Sequence, residues 1–265
     1  MENEALRVQQ DLEEIATLIA AGEYLKAEAR LRPILSVAPE LAEAHFFQGV
    51  IRVQQQQWDA AIEAFERATQ LDPEMPGAWH NLGYCYSRTD RPDEAAPYLE
   101  RALEVQPDKW DSYLLLGTVL IQLGKLEAAA ARLEQALRYG GEEVPSHGVY
   151  EMLALIHEAL GSPERAAYYQ MLLDAPPEAV SALREASVEH LCLFPDAERA
   201  LRAVDAYRAA GFDARFLDDA EEETYCVLIY DDTSPEAGDF EQVVERLQQI
   251  AEQHGGEYDG WGVGL

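Results

Sequence analysis

Few groupings in the chain have the residue types and spacing that chemistry requires. His190 stands two places before Cys192, and residues two apart on a strand share a face, so an imidazole and a thiol could approach one metal ion. No third and fourth ligand follows at suitable spacing, and no metal is expected. Asp218, Asp219, Glu221, Glu222 and Glu223, with Asp231-Asp232 beyond them, could attract a cation. A calcium loop needs alternating ligands around a central glycine; without one, the run is a solvated acidic surface suited to a basic partner. Asp259-Gly260, inside Glu257-Tyr258-Asp259-Gly260-Trp261-Gly262, permits a bulge or kink. That would turn Trp261 toward a helix or an exposed surface. Tyr258 and Trp261 then either pack in a core or join His190 and Asp259 in a partner-binding patch. No catalytic set assembles: there is no Walker loop, no G-x-S-x-G, no H-E-x-x-H and no CxxC pair. Gly255-Gly256 is a helix stop rather than a phosphate cradle. The expectation is a protein without enzymatic activity or cofactor.

These residues need elements to position them. Val188–Phe194, Phe212–Leu217, Tyr225–Tyr230 and Glu257–Val263 have the composition of strands. Ala197–Ala210 and Phe240–His254 carry apolar residues at helical spacing and end at glycine. The order βαββαβ predicts a ferredoxin-like domain over residues 187–265, with two helices on one face of a sheet ordered 4-1-3-2. The third strand is apolar on both faces, as strands covered on both sides are. Its helix-free face is therefore expected to pack on a second copy (a homodimer), on the rest of the chain, or on a partner. Cys192 and Cys226 fall on neighbouring strands and are expected as buried thiols.

Residues 1–178 read differently. Ala27, Ala61, Ala95 and Ala129 fall 34 residues apart, as do Pro39, Pro73 and Pro107, and Gly49, Gly83 and Gly117. The fullest unit contains Trp79, Leu82, Gly83, Tyr86, Ala95, Leu99, Ala102 and Pro107, which resembles the tetratricopeptide repeat. Small residues let paired helices approach, and the proline ends each second helix. A unit shifted by three residues, with Tyr150, Leu153, Ala154 and Ala166, follows an insertion at Gly140–Ser146. About five helix pairs over residues 8–178 are predicted, with residues 179–186 as a capping helix or linker. The fold class is thus α+β: an all-α repeat superhelix before a ferredoxin-like domain.

Stacked repeats bind partners on a concave wall lined by the first helix of each unit. The register places Phe46, Val50, Val53, His80, Tyr84, Ser87, Arg88, Leu114, Thr118, Ile121 and Gln122 there. That strip suits an extended or helical peptide, or else closes the inner groove against the chain's own C-terminal part. Arg88 is its one basic residue, which argues against capture of a peptide carboxylate.

Composition limits the partners. With 20 Lys+Arg against 50 Asp+Glu the net charge is −30, which disfavours direct binding of nucleic acid and of anionic membrane. Residues 187–265 hold 19 Asp+Glu and 5 Arg, a net of −14. The start, MENEALRVQQD, lacks the basic and apolar regions of a secretory signal, and no run is long enough to span a bilayer. A cytoplasmic protein is expected.

Val188-Glu189-His190, the acidic connection before the third strand, and the YDGWG ending resemble the RraB family of regulators of RNase E activity. The resemblance covers residues 187–265. It implies a protein that binds an RNase E-type endoribonuclease and restrains RNA cleavage without being a nuclease. An acidic surface meeting Arg- and Lys-rich segments would supply the attraction. Two other functions fit the sequence: a general scaffold whose C-terminal domain only caps or dimerises, and a small-molecule sensor.

Overall fold

The computed structural model describes every residue except 1, 76, 177–178, 181–187, 220–223, 232, 234, 236–237 and 264–265. It separates the chain into two compact units, Met1–Val144 and Pro145–Leu265.

The first unit is helical. It runs through α1 (Glu2–Ala20), α2 (Tyr24–Val37), α3 (Ala42–Gln54), α4 (Trp58–Leu71), α5 (Ala78–Arg88), α6 (Pro92–Val105), α7 (Trp110–Gln122) and α8 (Leu126–Gly140). Consecutive helices pack in pairs, α1 with α2 through α7 with α8. The sequence columns explain how. Ala27, Ala61, Ala95 and Ala129 are all 0 % exposed. A Cβ on Gly49, Gly83 or Gly117 would lie 2.6 Å from Phe65, 2.6 Å from Leu99 or 2.7 Å from Leu133, respectively. Each glycine thus admits one large side chain from the second helix of its own pair. Those three side chains are fully buried, each contributing about 1.5–3 kcal/mol by its removal from water.

Two further columns emerge. The turn inside each pair uses one residue with positive φ: Gly22, Gln56, Asp90 and Gly124, at +74°, +57°, +58° and +69°. The following N–H reaches back to a helical carbonyl (Glu23 to Leu18, Gln57 to Arg52, Arg91 to Tyr86, Lys125 to Leu120), the left-handed cap that satisfies a helix C-terminus. The second column is polar. Trp79 Nε1 donates to the Pro73 carbonyl at 2.8 Å, and Tyr113 Oη donates to that of Pro107 at 3.0 Å. His45 Nε2 lies 2.8 Å from the Pro39 carbonyl. Three different side chains do one job, fastening the first turn of a helix to the proline that precedes it.

The second unit begins with a helix pair, α9 (Ser146–Ala159) and α10 (Pro163–Asp174). It continues as β1 (Val188–Phe194), α11 (Ala197–Ala209), β2 (Asp213–Asp219), β3 (Thr224–Asp231), α12 (Phe240–Gln253) and β4 (Glu257–Val263). The turn between α9 and α10 repeats the cap, with Gly161 at φ +71° and Ser162 N–H on His157 O. Repeat pattern and compactness divide the chain at different places, since α10 packs against β4. Of residues 179–186, only Ala179 and Val180 are described, and both are helical.

The four strands pair in the order β2-β3-β1-β4, antiparallel throughout, which is the predicted 4-1-3-2. Burial along β1 alternates, with Val188, His190, Cys192 and Phe194 buried. Cys192, Phe194, Val227 and Ile229 meet Ala200, Val204 and Tyr207 of α11 and Leu247 and Ala251 of α12 in one core. Asp196 caps α11 by accepting from Arg199 N at 2.8 Å. Tyr207 Oη donates to Leu247 O at 3.1 Å and fastens the two helices together. β2 runs two residues further than predicted, because Asp218 and Asp219 pair with Tyr225 and Thr224.

Candidate functional site

In the first unit the predicted strip lies along α3, α5 and α7, which touch one another in that order. Phe46, Val50, Val53, His80, Tyr84, Leu114, Thr118 and Ile121 are half-buried, and Arg88 and Gln122 are exposed. Phe46 is partly consumed by packing, with the rings of Phe47 and Phe65 each 5.8 Å away. His80 Nδ1 lies 2.8 Å from Ser112 Oγ and so links α5 to α7. Burial holds the His80 imidazole below its ordinary pKa, with Asp111 opposing. The exposed end is built by Trp58, which lies outside the predicted strip. Tyr84 meets its ring edge-on at 6.2 Å, and the Arg88 guanidinium sits 5.6 Å over it. The repeat pattern carries no signal for Trp58, since Pro92 and Leu126 occupy the equivalent places.

In the second unit the site is built by one irregularity. β4 pairs regularly with β1 except between Leu191 and Cys192, where Gly260 faces the first and Tyr258 the second. Asp259 is therefore the extra residue of a bulge, and Gly260 beside it has φ +141°, a value side-chain-bearing residues rarely adopt. Side chains alternate faces along a strand, so Tyr258 and Trp261, three apart, would ordinarily point to opposite sides. The bulge brings both to the side of His190.

His190 is 0 % exposed, and its Nδ1 lies 2.8 Å from Tyr258 Oη. Its ring stacks with Phe240 at 5.8 Å between centroids. Nε2 is 4.0 Å from Asp231 Oδ2, too far for a hydrogen bond, and neither atom has a hydrogen-bonding partner among the described residues. Burial pushes the His190 pKa down to about 4, so the imidazole is neutral near pH 7. Burial likewise raises the Tyr258 hydroxyl. Two neutral groups at this distance hold each other in place rather than exchange protons. Trp261 is half-buried, edge-on to Phe240 at 5.0 Å and tilted against Tyr168 of α10 at 5.8 Å. Asp259 is exposed.

Apart from His190, the predicted C-terminal residues fall at the two edges of the sheet. Asp218 and Asp219 end β2, one edge of the sheet, whereas Tyr258, Asp259 and Trp261 lie on β4, the other edge. At about 4.8 Å per strand the two edges are roughly 14 Å apart. Glu221, Glu222 and Glu223 lie outside the described residues. Phe240, Tyr168 and Arg165 complete the surroundings of Trp261. Phe240 was signalled by its place at the head of an amphipathic helix; the two α10 residues had no signal.

Cys192 and Cys226 have no shared face. Cys192 pairs across from Val227 and Cys226 from Leu193, so their side chains leave the sheet on opposite sides; Cys192 is buried as expected, whereas Cys226, on the helix-free face, is only half-buried.

Comparison with known proteins yields three findings. A family described as Regulator of ribonuclease activity B matches residues 178–263, and tetratricopeptide repeat families match residues 12–76, 48–115 and 88–146. No curated protein matches the chain. Among solved structures, a crystal structure of MamA is 22 % identical, covering 58 % of this chain and 88 % of its own, with a TM-score of 0.52. MamA from Desulfovibrio magneticus is 16 % identical, covering 66 % and 94 %, at 0.55. YrrB, described as a TPR protein with an unusual peptide-binding site, is 18 % identical, covering 68 % and 95 %, at 0.53. At these identities the structural likeness concerns the helical fold.

Proposed function

We propose that this chain, a tetratricopeptide-repeat protein with a C-terminal RraB domain, is a non-enzymatic cytoplasmic regulator that couples two binding surfaces. The repeats and the RraB domain make it a protein-interaction adaptor or regulator. Its RraB domain would bind an RNase E-type endoribonuclease and restrain it, while the α3–α5–α7 strip holds a second protein. The observation that carries this is the match over residues 178–263 together with the bulged β4 that presents Asp259 and Trp261. Charge supplies a mechanism. A domain with 19 acidic and 5 basic groups over residues 187–265 attracts the Arg- and Lys-rich segments with which RNA-handling proteins hold RNA. Occupying those segments excludes RNA, and the attraction weakens with salt.

The test is retention of a purified RNase E-type endoribonuclease on the immobilised full chain, and on a chain ending at Val144. Retention by the full chain alone, falling as salt rises, supports the proposal. Equal retention by both chains, or none by either, sinks it.

A scaffold that dimerises through its sheet is the competing reading. It is favoured by the helix-free face, where Leu191, Leu193, Leu228 and Tyr230 are half-buried. Light scattering separates the two, because only the scaffold reading requires a dimer.

A further inference from the structure

Within the second unit, α10, the start of α12 and β4 enclose a cleft of about 430 Å³, a size within the usual range of about 300–1,000 Å³ for ligand sites. Trp261 and Tyr258 form part of its wall. Glu164, Glu241, Glu245 and Asp259 surround the opening, and all four are exposed. Arg165 is the basic residue of the lining, and it is already engaged. Its guanidinium lies 5.3 Å over the Phe240 ring, 3.3 Å from Glu241 Oε1, and donates to Pro235 O at 3.3 Å. Glu164, Glu245 and Asp259 form no ion pair with another described residue. Gly260 lies against Glu164, since a Cβ there would be in ordinary contact with Glu164 Oε1 at 3.5 Å.

We propose that this cleft seats an arginine side chain from a basic segment of a protein partner, its guanidinium against Trp261 and its charge met by Glu164, Glu245 and Asp259. Arg165 shows the arrangement in the cleft itself, a guanidinium on an aromatic ring with a carboxylate at its edge, and Arg91 repeats it on Tyr86 with Glu94. Arginine fits better than lysine because its planar group stacks on a ring while its N–H fork engages carboxylates. The proposal rests on the regulator reading above for its partner, and it adds where the partner is gripped and by which residue type.

The experiment uses the full chain labelled with 5-fluorotryptophan, whose four indoles (Trp58, Trp79, Trp110 and Trp261) give separate fluorine resonances. Trp261→Phe assigns the fourth. The probe is a short synthetic peptide of alternating arginine and glycine, compared with its lysine counterpart. The Trp261 resonance is expected to shift with the arginine peptide and the other three to stay. The lysine peptide is expected to bind several-fold more weakly, and the exposed triple change Glu164→Gln, Glu245→Gln, Asp259→Asn to weaken the arginine peptide about tenfold. An unmoved Trp261 resonance, equal affinity for the two peptides, or full affinity in the triple variant each overturns the proposal. Retention of the nuclease by the unaltered chain is measured alongside. If retention fails while the peptide seats, the nuclease reading falls and the cleft stands; if the peptide fails while the nuclease is retained, the reverse holds.

Discussion

Nδ1 of His190 and the hydroxyl of Tyr258 meet at 2.8 Å across two strands whose register slips by one residue at that point. Without the slip, Tyr258 and Trp261 would not share a face. The contact therefore depends on backbone irregularity as much as on residue identity.

The buried imidazole gives the second unit a pH signature. Its pKa of about 4 in the folded state is below the 6.5 of an ordinary histidine, so between these values the unfolded chain binds a proton that the folded chain refuses. The stability it confers is complete above about pH 6.5, falls as pH drops through the window, and levels off below about pH 4. The loss is at most about 3 kcal/mol. Denaturant unfolding at pH 7, 5.5 and 4.5 should show a steeper decline for the native chain than for His190→Gln. Parallel declines would refute the assignment.

Gly83 separates helices by the width of one methyl group. Gly83→Ala should destabilise the first unit by about 1–3 kcal/mol, because the new Cβ meets Leu99 at 2.6 Å. Leu99→Ala alone leaves a cavity, and the double variant should recover part of the summed loss, a coupling readable in a double-mutant cycle. Simple additivity would mean that the two side chains do not compete for the same space.

Gln56 occupies a left-handed position where Gly22 and Gly124 stand elsewhere in the array. Gln56→Gly should raise the melting temperature, by relief of about 1 kcal/mol of backbone strain. Gly124→Ala should lower stability by a similar amount, although a Cβ there would meet nothing within 4 Å. A neutral Gln56→Gly would show that the turn is free of strain.

Much of this was legible in the sequence because each repeat column has a single steric task. Ala95 and Gly83 must be small and Pro107 must end a helix, so these columns recur at one spacing. The left-handed column stayed hidden since Gln56 and Asp90 do not look like turn glycines. His45 stands where Trp79 and Tyr113 stand in the next two units, and its Nε2 reaches the Pro39 carbonyl as the Trp79 indole reaches Pro73. In the second unit, Asp259-Gly260 announced a bulge, and strand order followed from element order. Arg165 and Tyr168 could not be foreseen beside Trp261, because nothing local in the chain encodes a contact between a repeat helix and a strand so far beyond it.

The exposed end of the α3–α5–α7 strip offers a direct test of its role. Tyr84→Ala and Arg88→Ala should each weaken capture of a strip-bound protein by about tenfold and leave circular dichroism unchanged, since Arg88 is exposed and Tyr84 half-buried. The distant Leu25→Ala, 81 % exposed, serves as the control. Equal binding by all three variants would remove the strip from consideration.

The bulge at Asp259 makes strand length a variable in its own right. Removing that one residue would give β4 an uninterrupted ladder with β1, a locally tidier sheet by any hydrogen-bond count. It would also send either Tyr258 or Trp261 through to the opposite surface. A chain altered in this way could keep every chemically important side chain and still lose the surface those side chains compose. Within this domain, counting residues between two aromatic rings matters as much as conserving the rings.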